Sequence, residues 1–392
     1  LKYRNYVMWR ALVLFLMPLL VTWSYNQMYW DKLDKFQVIS DITLTPIRAS
    51  KRLEQEKSVL VINLDNNTSL QFTCVKHSVF KPDAKIAVHN GVNITYMNIP
   101  SNTYKAVGEN HKHLRVTTHD DGSYSGFFIS DEDEWIQFDS VARHTQFMKP
   151  HHLSSIGKGS HLLLWSAVKS DASKKEFPSG NTLPFSPPQP PCPSSLHKYT
   201  TTIAASVGFY NSIGRSIKQT INFMAAAIMG VNIFFEQDIN LHVTIDNAIV
   251  YTSSGSVVWN SKTDEPQCNS RLVLNFRDNW PKDVPQCCGM SNGGILFHNC
   301  ILNNPGVSSG AVCNDDLPQS TILRHLDPYE TRRYIGQLIS LSFGVPFDTN
   351  GIMSGVSPTR DIRYDRFSRV SQTAMCQAMA PLLGSTCLKT YS

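Results

Sequence analysis

Several residues of this chain could do chemistry by type and spacing. His111 and His113 alternate along a stretch of β-forming residues, with His119 close by, and His151-His152 forms a second cluster. Neutral imidazoles are good metal ligands, but neither cluster carries a spaced third and fourth ligand, so both read as solvated surface. Gly306-Val307-Ser308-Ser309-Gly310 matches G-x-S-x-G. A nucleophilic serine in that pattern sits on a sharp strand-to-helix turn. Here the surroundings are rich in Pro and Asn and read as irregular, which argues against a serine hydrolase. Cys287-Cys288 is a vicinal pair, better read as two structural half-cystines with separate partners. No phosphate-binding glycine loop and no dinucleotide fingerprint occurs. The remaining candidate is "TRRYIGQLISLSFGVPFDTNGIMSG", residues 331–355.

That segment needs a helix to present it, and the sequence supplies one. Asp327, Pro328 and Glu330 stand as N-cap, N1 and N3 of a helix start. The helix is predicted to run to about Phe343, with Gly344 as the residue past its end and Pro346 just beyond. An ordinary amphipathic core helix would turn Ile335, Leu338 and Leu341 inward. Upstream, "YTTTIAASVGF" reads as a strand and "NSIGRSIKQTINFMAAAIMGVNIFF" as a helix with Ile213, Ile217, Ile221 and Met224 near one face. "INLHVTIDNAIVYTS" reads as a long alternating strand and "SRLVLNFRDNW" as a second helix. The N-terminal half is strand-rich: "SVLVINL", "SLQFTCV" and "EWIQFDSV" have β composition. "HLRVTTHDDGSYSGFFIS" reads as a hairpin about Asp120-Asp121-Gly122, a turn that favours positive φ. Between the halves lies a Pro- and Ser-rich segment, 171–196, which can form neither a regular helix nor a central strand. It is read as a linker with polyproline character near Pro187 to Pro193.

With Gly344 as the anchor, the 331–355 frame resembles the zinc site of the metzincin proteases, specifically the reprolysin or ADAM type. That family carries H-E-x-x-H-x-x-G-x-x-H-D on a helix and the turn after it, then a turn containing Met beneath the metal. Two His four residues apart share a helix face, and the Glu acts as general base on the zinc-bound water. Here the ligand positions hold Gln337, Leu341 and Phe347, and the general-base position holds Leu338. Asp348 matches the final Asp and Met353 the Met-turn. The resemblance is collinear over about 190 residues by the family's order of elements. "SVGFYNSIGRSIKQTINFMAAAIMGVNIFFEQDINLHVTI" matches strand, long helix and strand, and "NFRDNW" the next helix. "DVPQCCGMSNGGILFHNC" leads toward the upper edge strand, and "RFSRVSQTAMCQAMAPLLGSTCL" matches the closing helix. "DDGSYSGFFI" is similar, more loosely, to an ADAM propeptide.

The resemblance implies an α/β (α+β) metzincin-like domain over 197–392, with a twisted mixed sheet and a central helix. A β-rich propeptide-like domain over 30–170 precedes it. It further implies a pseudoprotease of the metalloendopeptidase class: no catalytic residue, no metal ligand, and no cofactor expected. Zinc enters only under the alternative reading of an active metalloendopeptidase with a non-standard metal site, and no H-E-x-x-H occurs in the chain. Leu341 and Phe347 are expected to fill the space the metal would take. The expected work is capture of a protein or peptide in the groove beside an edge strand, which bulky changes at Gly293 and Gly294 would disturb. Cys192 stands near the family's zinc-capping propeptide cysteine; without zinc it reads as a disulfide partner or a free linker thiol. Cys300, Cys313, Cys376 and Cys387 are disulfide candidates, and the resemblance implies pairing of Cys387 with Cys300 or Cys313. Lys174-Lys175 is a poor furin-type site, so the propeptide-like domain is expected to stay attached.

Composition agrees with a folded chain of two domains. The 392 residues are 42% apolar and 17% charged, with a formal net charge of +5. Lys and Arg are scattered, which gives no nucleic-acid footprint. Lys2, Arg4 and Arg10 precede an apolar run from Ala11 to Trp23, too short to span a bilayer comfortably. Residues 1–24 read as a signal peptide or as a signal anchor that would tether the chain to a membrane. Nine cysteines and sequons at Asn66, Asn67 and Asn93 fit a secreted or cell-surface glycoprotein.

Overall fold

A computed structural model of the chain describes residues 36–47, 56–64, 68–98, 102–107, 113–129, 135–143, 156, 161–165, 192–253, 274, 276, 278, 293–298, 306–309, 311–313, 319–324, 328–349, 351–354, 366–385 and 387–391. The apolar N-terminal run, Asn66, Asn67, His111, His151, His152, Cys287, Cys288, Cys300 and the Pro-rich stretch before Cys192 lie outside them. Among the described residues, no helix is long and apolar enough to cross a membrane. The chain is mixed α/β and rich in strand. It divides into two compact units, one of residues 1–75 and 105–167, the other of residues 76–104 and 168–392.

The first unit is a curled antiparallel sheet closed on itself. Its strands are β1 (Phe36–Pro46), β2 (Lys57–Leu64), β3 (Ser69–Lys76), and, after an excursion, β6 (Thr103–Ala106), β7 (Arg115–Thr118), β8 (Tyr124–Ile129), β9 (Trp135–Ser140) and β10 (His161–Trp165). Around the barrel they run β1-β10-β9-β8-β7-β6-β3-β2. Closure removes the unpaired edges that an open sheet would expose. Alternation sets the faces: in β2, Ser58, Leu60, Ile62 and Leu64 are buried at every second position, with Leu60 and Ile62 fully enclosed in a core that includes Phe72, Phe127 and Phe138. The predicted hairpin forms as β7 and β8, Arg115 opposite Phe127 and Thr118 opposite Tyr124. Gly122 takes φ 76° at its turn, where the His119 amide bonds the Ser123 carbonyl.

The excursion is β4 (Phe80–His89) and β5 (Ile94–Met97), which belong to the second unit. They sit within the β-rich stretch of the sequence, but β4 pairs in parallel with β12 (Leu241–Tyr251), far later in the chain. The other strands of this sheet are β11 (His197–Ala205), β13 (Gly293–His298), β14 (Gly306–Ser309), β15 (Gln319–Arg324) and β16 (Leu388–Thr390). The order is β14-β15-β13-β11-β12-β4-β5, with β16 alongside the start of β11. β11, β12, β13, β15 and β4 are mutually parallel; β14, β5 and β16 run antiparallel to their neighbours.

Among the described residues the helices that accompany the sheet include α1 (Val207–Ser212), α2 (Ile217–Ile239), α3 (Pro328–Ser342) and α4 (Arg369–Met379). The strand predicted to continue into "SVGF" stops at Ala205, because the Ser206 hydroxyl accepts from the Phe209 amide and caps α1. The helix predicted from Asn211 starts only at Ile217, since Gly214 and Arg215 both take positive φ and break it. Ser216 then caps α2. α2 is buried nearly all round, from Thr220 to Phe235, and packs on β12 and α3. Its Asn232 donates to the Val243 carbonyl at 2.9 Å and accepts from the Val243 amide at 2.7 Å. That carboxamide serves β12 as a neighbouring strand would, below the point where β4 begins to pair. "NFRDNW" is helical at Phe276 and Asp278.

Candidate functional site

Helix α3 and the turns after it carry the frame. The helix ends as a Schellman motif: the Gly344 amide bonds the Leu341 carbonyl (2.9 Å) and the Val345 amide the Ser340 carbonyl (3.1 Å). Gly344 takes φ 84°, the left-handed position where a Cβ is costly. Val345 turns into the core, and Pro346 and Phe347 turn out. Asp348 then meets the second turn: its amide bonds the Met353 carbonyl at 2.8 Å. Its carboxylate accepts from the Thr349 amide (2.6 Å) and from the hydroxyls of Ser371 (3.0 Å) and Ser368 at the start of α4. Ile352 and Met353 are fully buried.

The four positions that would hold zinc chemistry have separate fates. Gln337 is buried, and its Nε2 donates to the carbonyls of Ile352 (2.5 Å) and Ser354 (2.9 Å). It therefore fastens helix α3 to the Met-bearing turn. Leu338 is buried and Leu341 half-buried. Phe347 is 59% exposed, so the expectation that it fills vacated space is corrected: the Schellman turn gives the inward place to Val345 instead. A zinc ion does not fit this donor set. Gln337 could offer only the lone pairs of one neutral carboxamide oxygen, and Leu and Phe have none at all, so the three or four ligands zinc needs are not there.

Two tethers hold the turns against the rest of the unit. Asp238, one residue from the end of α2, accepts from Arg366 Nε (2.8 Å), from Arg366 Nη2 and from the Phe367 amide (2.9 Å). The Gln372 carboxamide donates to the Asp238 carbonyl. Beside them, Cys192 is disulfide-bonded to Cys376 of α4, and Cys313 to Cys387. Of the two partners open for Cys387, the structure has Cys313. Sequence reasoning missed Asp238. The signal was there: a carboxylate in the last turn of a helix opposes the helix dipole, so it calls for a cation from elsewhere.

Other candidates disperse. Gly306–Ser309 is the terminal strand β14, not an irregular loop, and Ser308 shares a hydrogen bond with Ser342 of α3 at 2.8 Å. That is no strand-to-helix elbow, so the nucleophile geometry is absent from it. Gly293 and Gly294 lie in β13, between β11 and β15, and not at an edge. His119 Nε2 pairs with Ser125 Oγ at 2.8 Å. Among the described residues, no group of three or more His, Cys, Asp or Glu is placed to hold a metal ion. Cys74 is a free, buried thiol that burial pushes up to about 12, which makes it unreactive. His298, at the end of β13, is buried with Nδ1 unpaired, and burial lowers it to about 4.

No protein-family model and no curated protein matches the chain. Among solved structures 73 chains match. One, "Structure of a chaperone-substrate complex", is 9% identical, and the match covers 84% of this chain and 60% of that one, at a TM-score of 0.34. A TM-score that low bears on neither fold nor function.

Proposed function

We propose that the second unit is a metzincin-like module of the reprolysin type that has lost its zinc chemistry and works by binding an extended peptide or protein segment. The observation that carries this reading is Gln337. At the position of the first zinc ligand, a carboxamide donates both its protons to the backbone of the Met-bearing turn. A hydrogen-bonded fastener thus stands where the family places a metal, and Leu338 cannot accept a proton from water. The succession of elements supports the kinship: strand β11, long helix α2, strand β12, then α3 closed by Gly344, the turn at Met353 and the closing helix α4. Two intramolecular disulfides fit an extracellular or secreted setting.

The binding part rests on two features. β14 ends the strand order and is tied to the last turn of α3 through Ser308 and Ser342. A terminal strand can accept an extended segment through main-chain hydrogen bonds. Just past the end of α3, Phe347 offers an exposed ring as an apolar anchor. The test is incubation of the secreted chain with a diverse peptide library, with and without added zinc. The peptides are expected to stay intact, and a subset to be retained that Phe347→Asp releases. Chelator-sensitive cleavage would overturn the loss of chemistry. Retention untouched by Phe347→Asp would overturn the assigned surface.

A further inference from the structure

The far end of the same sheet carries an acceptor sequence for modification. β4 and β5 are joined by a tight turn in which Asn90 Oδ1 accepts from the amides of Val92 (3.1 Å) and Asn93 (2.7 Å). The Asn90 amide bonds the Asn93 carbonyl across it at 3.2 Å. The turn presents Asn93-Ile94-Thr95, an N-x-T acceptor with no proline at its centre. Asn93 and Thr95 are both exposed, and the Asn93 side chain makes no hydrogen bond among the described residues. Its neighbours are unusual for a water-facing hairpin. Val92 is 86% exposed, Tyr96 43% and Met97 46%. Successive strand residues point to opposite faces, so the partial exposure of both Tyr96 and Met97 means that β5 meets solvent on its two faces as well as being terminal in the strand order. A terminal strand with exposed apolar side chains is a template for pairing with another chain, and no lysine, proline or bulge blunts this one.

We infer that Asn93 carries an N-linked glycan that shields the β5 edge from self-association. The donor class is an oligosaccharide held by a lipid diphosphate in the secretory pathway. The Asn93 amide nitrogen forms a bond to the anomeric carbon of the sugar. The bond from that carbon to the diphosphate oxygen breaks, the lipid diphosphate leaves with the electron pair, and the amide releases one proton. The two disulfides fit a compartment where such donors act. Asn66 and Asn67, adjacent to each other, lie outside the described residues, so Asn93 is the acceptor whose folded surroundings favour a bulky, solubilising group.

The test uses the full chain expressed through the secretory pathway of cultured eukaryotic cells. Amidase release of N-glycans in isotopically heavy water is expected to convert residue 93 to labelled aspartate. Asn93→Gln and Thr95→Ala should each lose one glycan on a gel. Both should sediment as larger species than the wild type, and adding Tyr96→Lys to Asn93→Gln should reverse that. An unmodified Asn93 overturns the site. A glycosylated wild type whose two variants sediment unchanged overturns the shielding role.

Discussion

Replacing Gln337 tests the fastener directly. Gln337→Leu keeps nearly the same volume and removes both donors, which leaves the carbonyls of Ile352 and Ser354 buried without them. Each lost bond contributes about 1 kcal/mol net, and a stranded buried acceptor raises the cost to between about 1 and 3 kcal/mol. The pair sums to about 2–6 kcal/mol, or a fall in Tm of about 4–24 °C for a unit of this size. Gln337→Glu adds a pH signature. A carboxylate facing two carbonyls is disfavoured, so the introduced carboxyl has a raised pKa in the folded chain, and protonation restores one donor. Stability is then best below the unfolded pKa and falls as pH rises through the folded one, so this variant should recover at about pH 5 part of what it loses at about pH 7. The assays are thermal unfolding at the two pH values and limited proteolysis across residues 345–368. A Gln337→Leu chain with wild-type melting and an equally resistant turn would refute the fastener.

Phe347→Ala should change stability by less than about 0.5 kcal/mol, because the ring is exposed; a loss above about 2 kcal/mol in chemical denaturation would contradict its outward placement. His298 titrates at about 4 in the fold against 6.5 when unfolded, so its contribution is complete above 6.5 and is lost as pH falls toward 4. Between about pH 7 and 5 that loss is about 2 kcal/mol, which His298→Gln should abolish; equal acid sensitivity of variant and wild type would sink it. The Cys192–Cys376 bond closes a separation of 184 residues, for which chain entropy gives about 5 kcal/mol at most. The double change to serine should lower the denaturation midpoint of the second unit and loosen α4, read by hydrogen exchange at residues 369–379. Unaltered exchange there would show that the Asp238–Arg366 tether alone suffices.

By itself the sequence determined what depends on neighbours a few residues apart. The hairpin at Asp120-Asp121-Gly122 and the end of α3 at Gly344 follow from residues that tolerate positive φ, and both formed as read. The donor chemistry of the frame was equally legible, since residue type alone denies Leu338, Leu341 and Phe347 a metal or a proton. The helical break at Gly214 and Arg215 was readable in principle but was outweighed by the apolar spacing on both sides.

Only the tertiary structure decided what depends on distant partners. β4 lies within the strand-rich half of the sequence, and its place beside β12 is fixed by a parallel pairing that no local pattern encodes. The choice of Cys376 for Cys192, and of Cys313 for Cys387, is made by proximity after folding. Asp238 finds Arg366 across 128 residues of chain because a carboxylate in the last turn of a buried helix must be compensated from outside that helix. Phe347 faces outward because the Schellman turn has one inward place and Val345 occupies it. Backbone preference acts over one turn of chain, whereas burial and pairing are settled by whichever distant segments reach the same core.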